Sequence, residues 1–528
     1  MLLSFHVNLK TTFPFVSTLD FHYLCNLIGN KVKKKKSGGS SPKHKSGHVV
    51  VLLVLSVVFL FLLTQLPVLE WGGLSTKPVD LFSDIRVDEQ SLDLPGDAVW
   101  QDTESDSLFF SHEEAVVDSM TVSTDSVTGD SLTPPRPAVS APVRLDTTMV
   151  GGPPRRDGDV VLFEDFSPGE EGLSHLLAAM EQRLTLGRPV RIAFLGDSFI
   201  EADIFTQDVR SRLQSQYGGC GVGYVSMHSD FPGFRRSVVQ SGSGWEVHSV
   251  LKPREADWSL MTLQQQYFVP LEGAAAQYRG TTRIERAESW TLSRFLFVAR
   301  NDCSVSLKVG DGEWQTFAVT GSPEIQSLEV AGKTNRFQVK TGAIAGFTAI
   351  GVWLDDTQGI AIDNISTRGY SGLSLVSLPA ARCAQMQAIV PYDAIVLQYG
   401  LNVMSPEILH YEAYARKMVA VVNHLKACYP NTDIILMGVG DRSRKMNGSF
   451  VTMPAVLALS HAQRLAAKNA GVVFWDTFAA MGGENGMVDY VAKKQANKDY
   501  THINHKGGRR LAGEFVKSLE YSLNRYGQ

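Results

Sequence analysis

Two short stretches hold residue types suited to nucleophilic chemistry. In "FLGDSFIEAD" (194–203), Gly196, Asp197 and Ser198 close an apolar run and precede a helix-like pattern. A serine there would stand at the carboxyl end of a strand, near helix N–H groups that favour developing negative charge. It could serve as a nucleophile, or Ser198 or Asp197 could simply cap the helix. In "DYTHINHKGG" (499–508), Asp499 and His502 stand three apart, just before the last helical segment. One loop could present the imidazole as a base and the carboxylate behind it, fixing the tautomer and stabilising the imidazolium. His505 is a rival base with no acid three residues before it, and the plain alternative is a surface loop with two solvated histidines.

Ester hydrolysis also needs donors for an oxyanion. Asn402, two residues after Gly400 in "LQYGLN", follows the apolar run "AIVL", where its amide could point into such a site. Gly372 in "RGYSGLSL" can bring a backbone N–H close to a substrate because it lacks a Cβ. Gly369 is the alternative, and Asn and Gly at strand ends are also ordinary turn formers.

In chain order these blocks read Gly-Asp-Ser, Gly, Gly-x-Asn and Asp-x-x-His. Together they resemble the SGNH, or GDSL, hydrolase superfamily, over about 185–240 and 360–525. The resemblance implies Ser198 as nucleophile, His502 as base and Asp499 as the acid that orients it. It implies an oxyanion hole of the Ser198 N–H, the Gly372 N–H and the Asn402 side chain. Asp197 and Gly400 would brace the two turns. The implied fold is a flavodoxin-like three-layer α/β/α body.

The elements needed to position these residues can be read independently. "PVRIAFLG", "YDAIVLQYG", "TDIILMGVG" and "VVFWDTF" are short apolar runs bounded by turn signals, as in buried parallel strands. Between and around them, helical spacing appears in "GLSHLLAAMEQRL", from Ile200 through Leu213, in "PEILHYEAYARKMVAVVNHLKACY", in "PAVLALSHAQRLAAKNAG" and from Leu511 to Leu523. Alternating strand and helix predicts an open α/β sheet with reactive groups beyond the carboxyl ends of its strands.

Between about 240 and 360 the period changes. "SRFLFVAR", "CSVSLKVG", "WQTFAVTG", "IQSLEVAG", "RFQVKTG" and "TAIGVWLDD" alternate and are separated by Gly, Asp or Asn turns, which predicts an inserted all-β sandwich or jelly roll. Trp245, Trp258, Trp290, Trp314 and Trp353 lie here, as core residues or as a platform for sugars. Ser198 and Gly372 are consequently 174 positions apart, which is similar to the two-domain peptidoglycan O-acetylesterases with a carbohydrate-binding-like β domain.

Ahead of this body, residues 49–63 carry no charge and follow Lys31, Lys33–Lys36, Lys43 and Lys45. Extended over 47–69, the segment predicts a transmembrane signal anchor with a cytoplasmic N-terminus and an exported body. Residues 80–130 hold fourteen Asp or Glu and one Arg, and prolines follow, which predicts a disordered spacer. The expected segments are a basic N-terminus at 1–46, the anchor at 47–69, a linker at 70–165, a first hydrolase segment at 166–240, the β-rich insert at 241–360 and a second hydrolase segment at 361–528.

A net charge of −4 excludes a strongly basic nucleic-acid binder. No metal motif is present, and "EVAGKT" fails as a phosphate loop because Ser327 stands where its first glycine is required. No cofactor is expected. The four cysteines beyond the anchor are either bridged or free. The combined reading is a tethered serine esterase acting on an acetylated polysaccharide. An O-acetyltransferase using the same groups is the alternative, and a non-catalytic envelope scaffold is a third.

Overall fold

The computed structural model describes residues 144–148 and 152–526, together with the backbone of a two-strand antiparallel pair, Glu70–Trp71 and Leu74–Ser75. The span expected at 47–69 and the acidic spacer around 80–130 lie outside the described residues. Among the described residues, no helix is long and apolar enough to cross a bilayer.

The folded body starts earlier than expected. Residues 144–148 and 152–165, expected as linker, are docked: the Asp146 N–H donates to the Asn469 side chain at 2.6 Å, and Val161, Leu162 and Phe163 are buried. The apolar run Val161–Phe163 supplies the buried side chains that hold this segment to the body. β1 (Glu164–Asp165) then enters the main sheet.

The chain continues through α1 (Ser174–Glu181), β2 (Val190–Gly196), α2 (Thr206–Tyr217) and β3 (Gly223–Val225). Eight more strands follow: β4 (Val238–Ser249), β5 (Gln266–Gly280), β6 (Trp290–Ala299), β7 (Cys303–Val309), β8 (Gln315–Val319), β9 (Ser322–Thr334), β10 (Arg336–Lys340) and β11 (Phe347–Asp355). The α/β pattern resumes with β12 (Ile360–Ser366), α3 (Ala380–Ile389), β13 (Ala394–Gln398), α4 (Glu412–Cys428) and β14 (Asp433–Met437). A hairpin of β15 (Ser443–Met446) and β16 (Ser449–Thr452) precedes α5 (Pro454–Ala470) and β17 (Val473–Trp475). Two short helices, α6 (Thr477–Ala480) and α7 (Gly486–Ala492), lead to α8 (His505–Arg525).

The body sheet has the order β12-β2-β13-β14-β17-β1, parallel except where β1 meets β17. Numbered by appearance, its five parallel strands run 2-1-3-4-5, the flavodoxin-like order. Every residue of β2, β13 and β14 is buried, so both faces of the sheet are covered. α8 is fixed by Phe515, whose ring meets those of Phe163, Phe194, Phe205 and Trp475 at centroid distances of 5.1–5.8 Å.

The other nine strands, β3 to β11, pair antiparallel in two ladders. One is β8-β7-β10-β5-β4 and the other is β9-β6-β11-β3; they join at a single pair, Ala349 against Phe268. Tyr278, Val305 and Phe337 from the first ladder share a core with Phe295, Phe297 and Val352 from the second, as in a sandwich. These strands already begin at Gly223, within the segment expected as body. A three-residue strand and the Ser- and Gly-rich start of β4 give too little alternation to read. Arg191 on β2 is clamped between Asp355 at the end of β11 (2.6 Å) and Asp363 on β12 (2.9 Å), tying the insert to the body.

The tryptophans do not form a sugar platform. Trp245, Trp258, Trp290 and Trp353 are buried, and each indole N–H donates to an internal acceptor. Trp314 is half-buried under the Lys340 ammonium, which sits 4.1 Å from its ring centroid. Cys220, Cys303, Cys383 and Cys428 are free thiols.

Candidate active site

Ser198 lies in the turn after β2, but not at a helix start as its sequence suggests. A turn over 197–200 and a 3-10 turn at Glu201–Asp203 intervene, and α2 begins only at Thr206. Ala202 and Asp203 have φ of 54° and 67°, which breaks the helix that the apolar spacing implied. Asp203 holds this kink by accepting from Arg210, Arg235 and Ser237. Neither the cap reading nor a contribution from the α2 dipole therefore applies to Ser198.

Asp197 is fully buried. One of its carboxylate oxygens accepts from the Phe199 N–H (3.0 Å) and the other from the Leu401 N–H (3.3 Å). It thus ties the turn after β2 to the turn after β13. Burial pushes its carboxyl up to about 6, opposed by those N–H donors and by the nearby His502.

The imidazole comes from the loop before α8. His502 Nε2 lies 3.1 Å from Ser198 Oγ, and its Nδ1 lies 2.8 Å from Asp499 Oδ2. A proton on Nδ1 satisfies both contacts, leaving Nε2 to accept from the serine. The other Asp499 oxygen accepts from the Thr501 and His502 N–H groups at 2.9 and 3.1 Å, an Asx-type turn that curls the loop. Burial alone would raise the Asp499 carboxyl, but the His502 and backbone donors outweigh it and hold it below its usual range.

Several contacts hold this loop in place. Tyr500 has φ of 57°, and its ring stacks on Phe450 of β16 at 3.6 Å, while its carbonyl accepts from the Ser443 N–H at 3.0 Å. Asn504 caps α8 by accepting from the Lys506 and Gly507 N–H groups. His505, the rival base, is buried and turned away: its Nδ1 meets Gln207 Nε2 at 3.1 Å. Burial and nearby arginines push it down to about 4.

Asn402 and Gly372 complete the arrangement. Gly400 has φ of 138°, open to glycine alone, and turns the chain so that Asn402 follows β13 directly. Asn402 Nδ2 donates to the Tyr370 carbonyl at 3.3 Å, which places this amide beside the segment that carries Gly372. Gly372 has φ of 79°, and a Cβ there would meet the Tyr399 ring at 2.5 Å. Among the described residues, no backbone carbonyl accepts from the N–H of Ser198 or of Gly372. Gly369 also has a positive φ, 75°, but sits in the turn before Tyr370.

Ser198 follows β2 and Asn402 follows β13, the two strands at which the direction of winding reverses. In parallel sheets this switch point opens a crevice outside the strand ends. The structure therefore brings together Ser198, His502, Asp499, Asp197, Asn402 and Gly372 from four loops at one end of the sheet. The arrangement can relay a proton from the serine hydroxyl and offer N–H donors to an oxyanion.

Two supports escape a reading of the sequence. The β15–β16 hairpin, which backs the Asp499–His502 loop, carries Asn447–Gly448 at its turn, a recognisable hairpin signal. Gln265 comes from the insert and reaches into the body, donating from Nε2 to Tyr399 OH at 2.9 Å. It thereby supports the ring against which Gly372 is packed, and no local pattern marks it.

No protein-family model and no curated protein matches the chain. Among solved structures, a peptidoglycan O-acetylesterase aligns with 69% of this chain and 99% of its own, at 20% identity and a TM-score of 0.57. A family two carbohydrate esterase from Cellvibrio japonicus aligns at 10% identity over 54% of this chain and 98% of its own, with a TM-score of 0.22. A GDSL-like lipase from Parabacteroides merdae aligns at 16% identity over 30% and 72%, with a TM-score of 0.25. The last two are too loose to carry an argument. The first establishes the likeness of fold: the chain shares its overall architecture with that O-acetylesterase structure.

Proposed function

We propose that the chain is a serine esterase of the SGNH/GDSL type that removes O-acetyl groups from a polysaccharide, such as peptidoglycan, through an acyl-enzyme. The observation that carries this reading is the unbroken line from Ser198 Oγ through His502 to Asp499 at the switch point of the parallel sheet. His502 Nε2 takes the Ser198 proton as Oγ bonds to the acetyl carbonyl carbon. The carbonyl electron pair moves to oxygen, which the Ser198 N–H, the Gly372 N–H and Asn402 Nδ2 receive. For Asn402 this exchanges its long bond to the Tyr370 carbonyl for a charged acceptor. Collapse breaks the bond to the sugar oxygen, which leaves with the proton held by His502. Water then gives a proton to His502 and attacks the acetyl-serine; acetate departs and Ser198 Oγ is reprotonated. Asp499 stays ionised and stabilises the imidazolium in both halves.

In this reading the body works outside the cytoplasm, in the periplasm or beyond it, held by a membrane span at 47–69 with its lysine flank inside. Its substrate partner is an acetylated glycan. The test is acetate release from O-acetylated peptidoglycan or acetylated xylan by the full-length protein. Ser198→Ala should reduce turnover by about 10⁴ or more if the three groups act as a unit. Full activity in that variant would sink the assignment. Acetyl transfer to an added glycan, without free acetate, would make the reaction a transferase instead.

A further inference from the structure

A cleft of about 400 Å³ shares two loops with the candidate site. Glu201, three residues beyond Ser198, and Arg368, four residues before Gly372, both line it and are ion-paired at 2.6 Å. The facing wall includes the loop between β3 and β4. There Phe231 is 56% exposed, and the Phe234 ring stacks on it at 5.4 Å and an interplanar angle of 13°. Beside it stands the exposed Asp230 carboxylate, with His228 Nε2 at 3.1 Å. His228 is itself held at Nδ1, 3.3 Å from the Gly242 carbonyl.

Single exposed apolar side chains are ordinary. This one is backed by a second ring, stands next to an oriented carboxylate and faces a cleft of ligand size. A flat apolar ring beside a hydroxyl-accepting carboxylate matches a pyranose, which offers an apolar C–H face and hydroxyls at its edge. An anionic lipid surface would be repelled by the exposed Asp230 carboxylate, whereas Glu201 is already paired with Arg368. The loops that carry Ser198 and Gly372 also wall this cleft through Glu201 and Arg368, so it offers a place to sugars next to one whose acetyl group reaches Ser198. We propose that the cleft is a glycan subsite: Phe231 is the stacking platform and Asp230 the hydroxyl acceptor for pyranose units next to the acetylated one. The proposal rests on reading the site as a carbohydrate esterase. It moves sugar stacking from the buried tryptophans of the insert to a phenylalanine pair at its junction with the body.

The full-length protein and its Phe231→Ala variant would be assayed on O-acetylated chitohexaose and on p-nitrophenyl acetate. The ratio of kcat/KM for hexasaccharide over small ester should fall about five- to tenfold in the variant, through KM. Phe231→Trp should restore it. A ratio unchanged within twofold overturns the subsite. Calorimetric titration with chitohexaose lacking O-acetyl groups tests the cleft without the reaction: Phe231→Ala should bind more weakly, and equal binding by wild type and variant overturns the proposal. If the wild-type protein hydrolyses neither ester, the esterase reading fails, and this titration alone decides the cleft.

Discussion

The two sheets bury their residues differently, and the difference divides labour between them. In the parallel sheet β2, β13 and β14 are buried along their whole length, so only the strand ends meet solvent, and chemistry is confined to those ends. Among the antiparallel strands β11, between the two ladders and the body, is also buried throughout, but the outer ones alternate, as in β4, where inward residues such as Val238 and Trp245 are separated by exposed ones such as Val239. Such a surface can pack inward and still offer walls, loops and a reaching side chain. Groups that touch reacting atoms should therefore belong to the parallel sheet, and groups that place or bind should belong to the insert and its borders.

The comparison breaks first, if it is wrong, at Asp499. Asp499→Asn keeps the loop's shape but lets Nδ1 lose its charged partner, and the rate should drop roughly 10⁴-fold. A loss under tenfold in acetate release would remove the carboxylate from the relay. Next comes Asn402→Ala, expected to cost about 10²–10³ in kcat through the lost oxyanion donor. A normal kcat would leave Asn402 as a turn residue only. Gln265→Ala probes the other sheet. It strips Tyr399 OH of its buried donor, so urea unfolding should show a loss of about 1–3 kcal/mol while kcat falls less than tenfold. A loss of rate as large as that at Asn402 would erase the division between the sheets.

The smallest effect is electrostatic and sharpens the contrast within the site. Asp197 has its folded carboxyl raised to about 6, so between about pH 4 and 6 the folded state holds more proton than the unfolded chain. Its burden on stability is absent below the unfolded value and complete above about 6. Relative to Asp197→Asn, the wild type should lose on the order of 1–2 kcal/mol as pH rises from 4.5 to 7, measured by urea unfolding. A flat difference would show that the carboxylate is better compensated than its burial implies. Asp499, held low, has the opposite sign: its contribution is present above the unfolded value and is lost as pH falls through the folded one.

What can be read in the sequence follows the same division. Ser198, Asp499, His502 and Asn402 stand at the ends of short apolar runs or just before a helix, so local pattern and residue chemistry point to them together. The start of α2 departs from the sequence pattern because Ile200 and Ile204 continue an apolar spacing through a kink that only backbone angles reveal. The insert's tryptophans are ambiguous in the sequence because composition does not say which face of a strand a ring occupies. Gln265 and Tyr399 are 134 positions apart, and Phe231 matters only through the loops opposite it, so neither carries a local signal.

The Arg191 junction has a consequence for how the molecule assembles. β2 and β12 are neighbours in the parallel sheet, yet their paired residues lie 170 positions apart, Ile360 against Val190. The chain between them holds all nine antiparallel strands, and Asp355 on the last of them forms one side of the clamp on Arg191. Such a long-range pairing is slow to form, because loop closure must be completed before the contact rewards it. On refolding from denaturant, β-sheet signal should therefore return ahead of any competence that needs Ser198 and Gly372 together, since one loop follows β2 and the other follows β12.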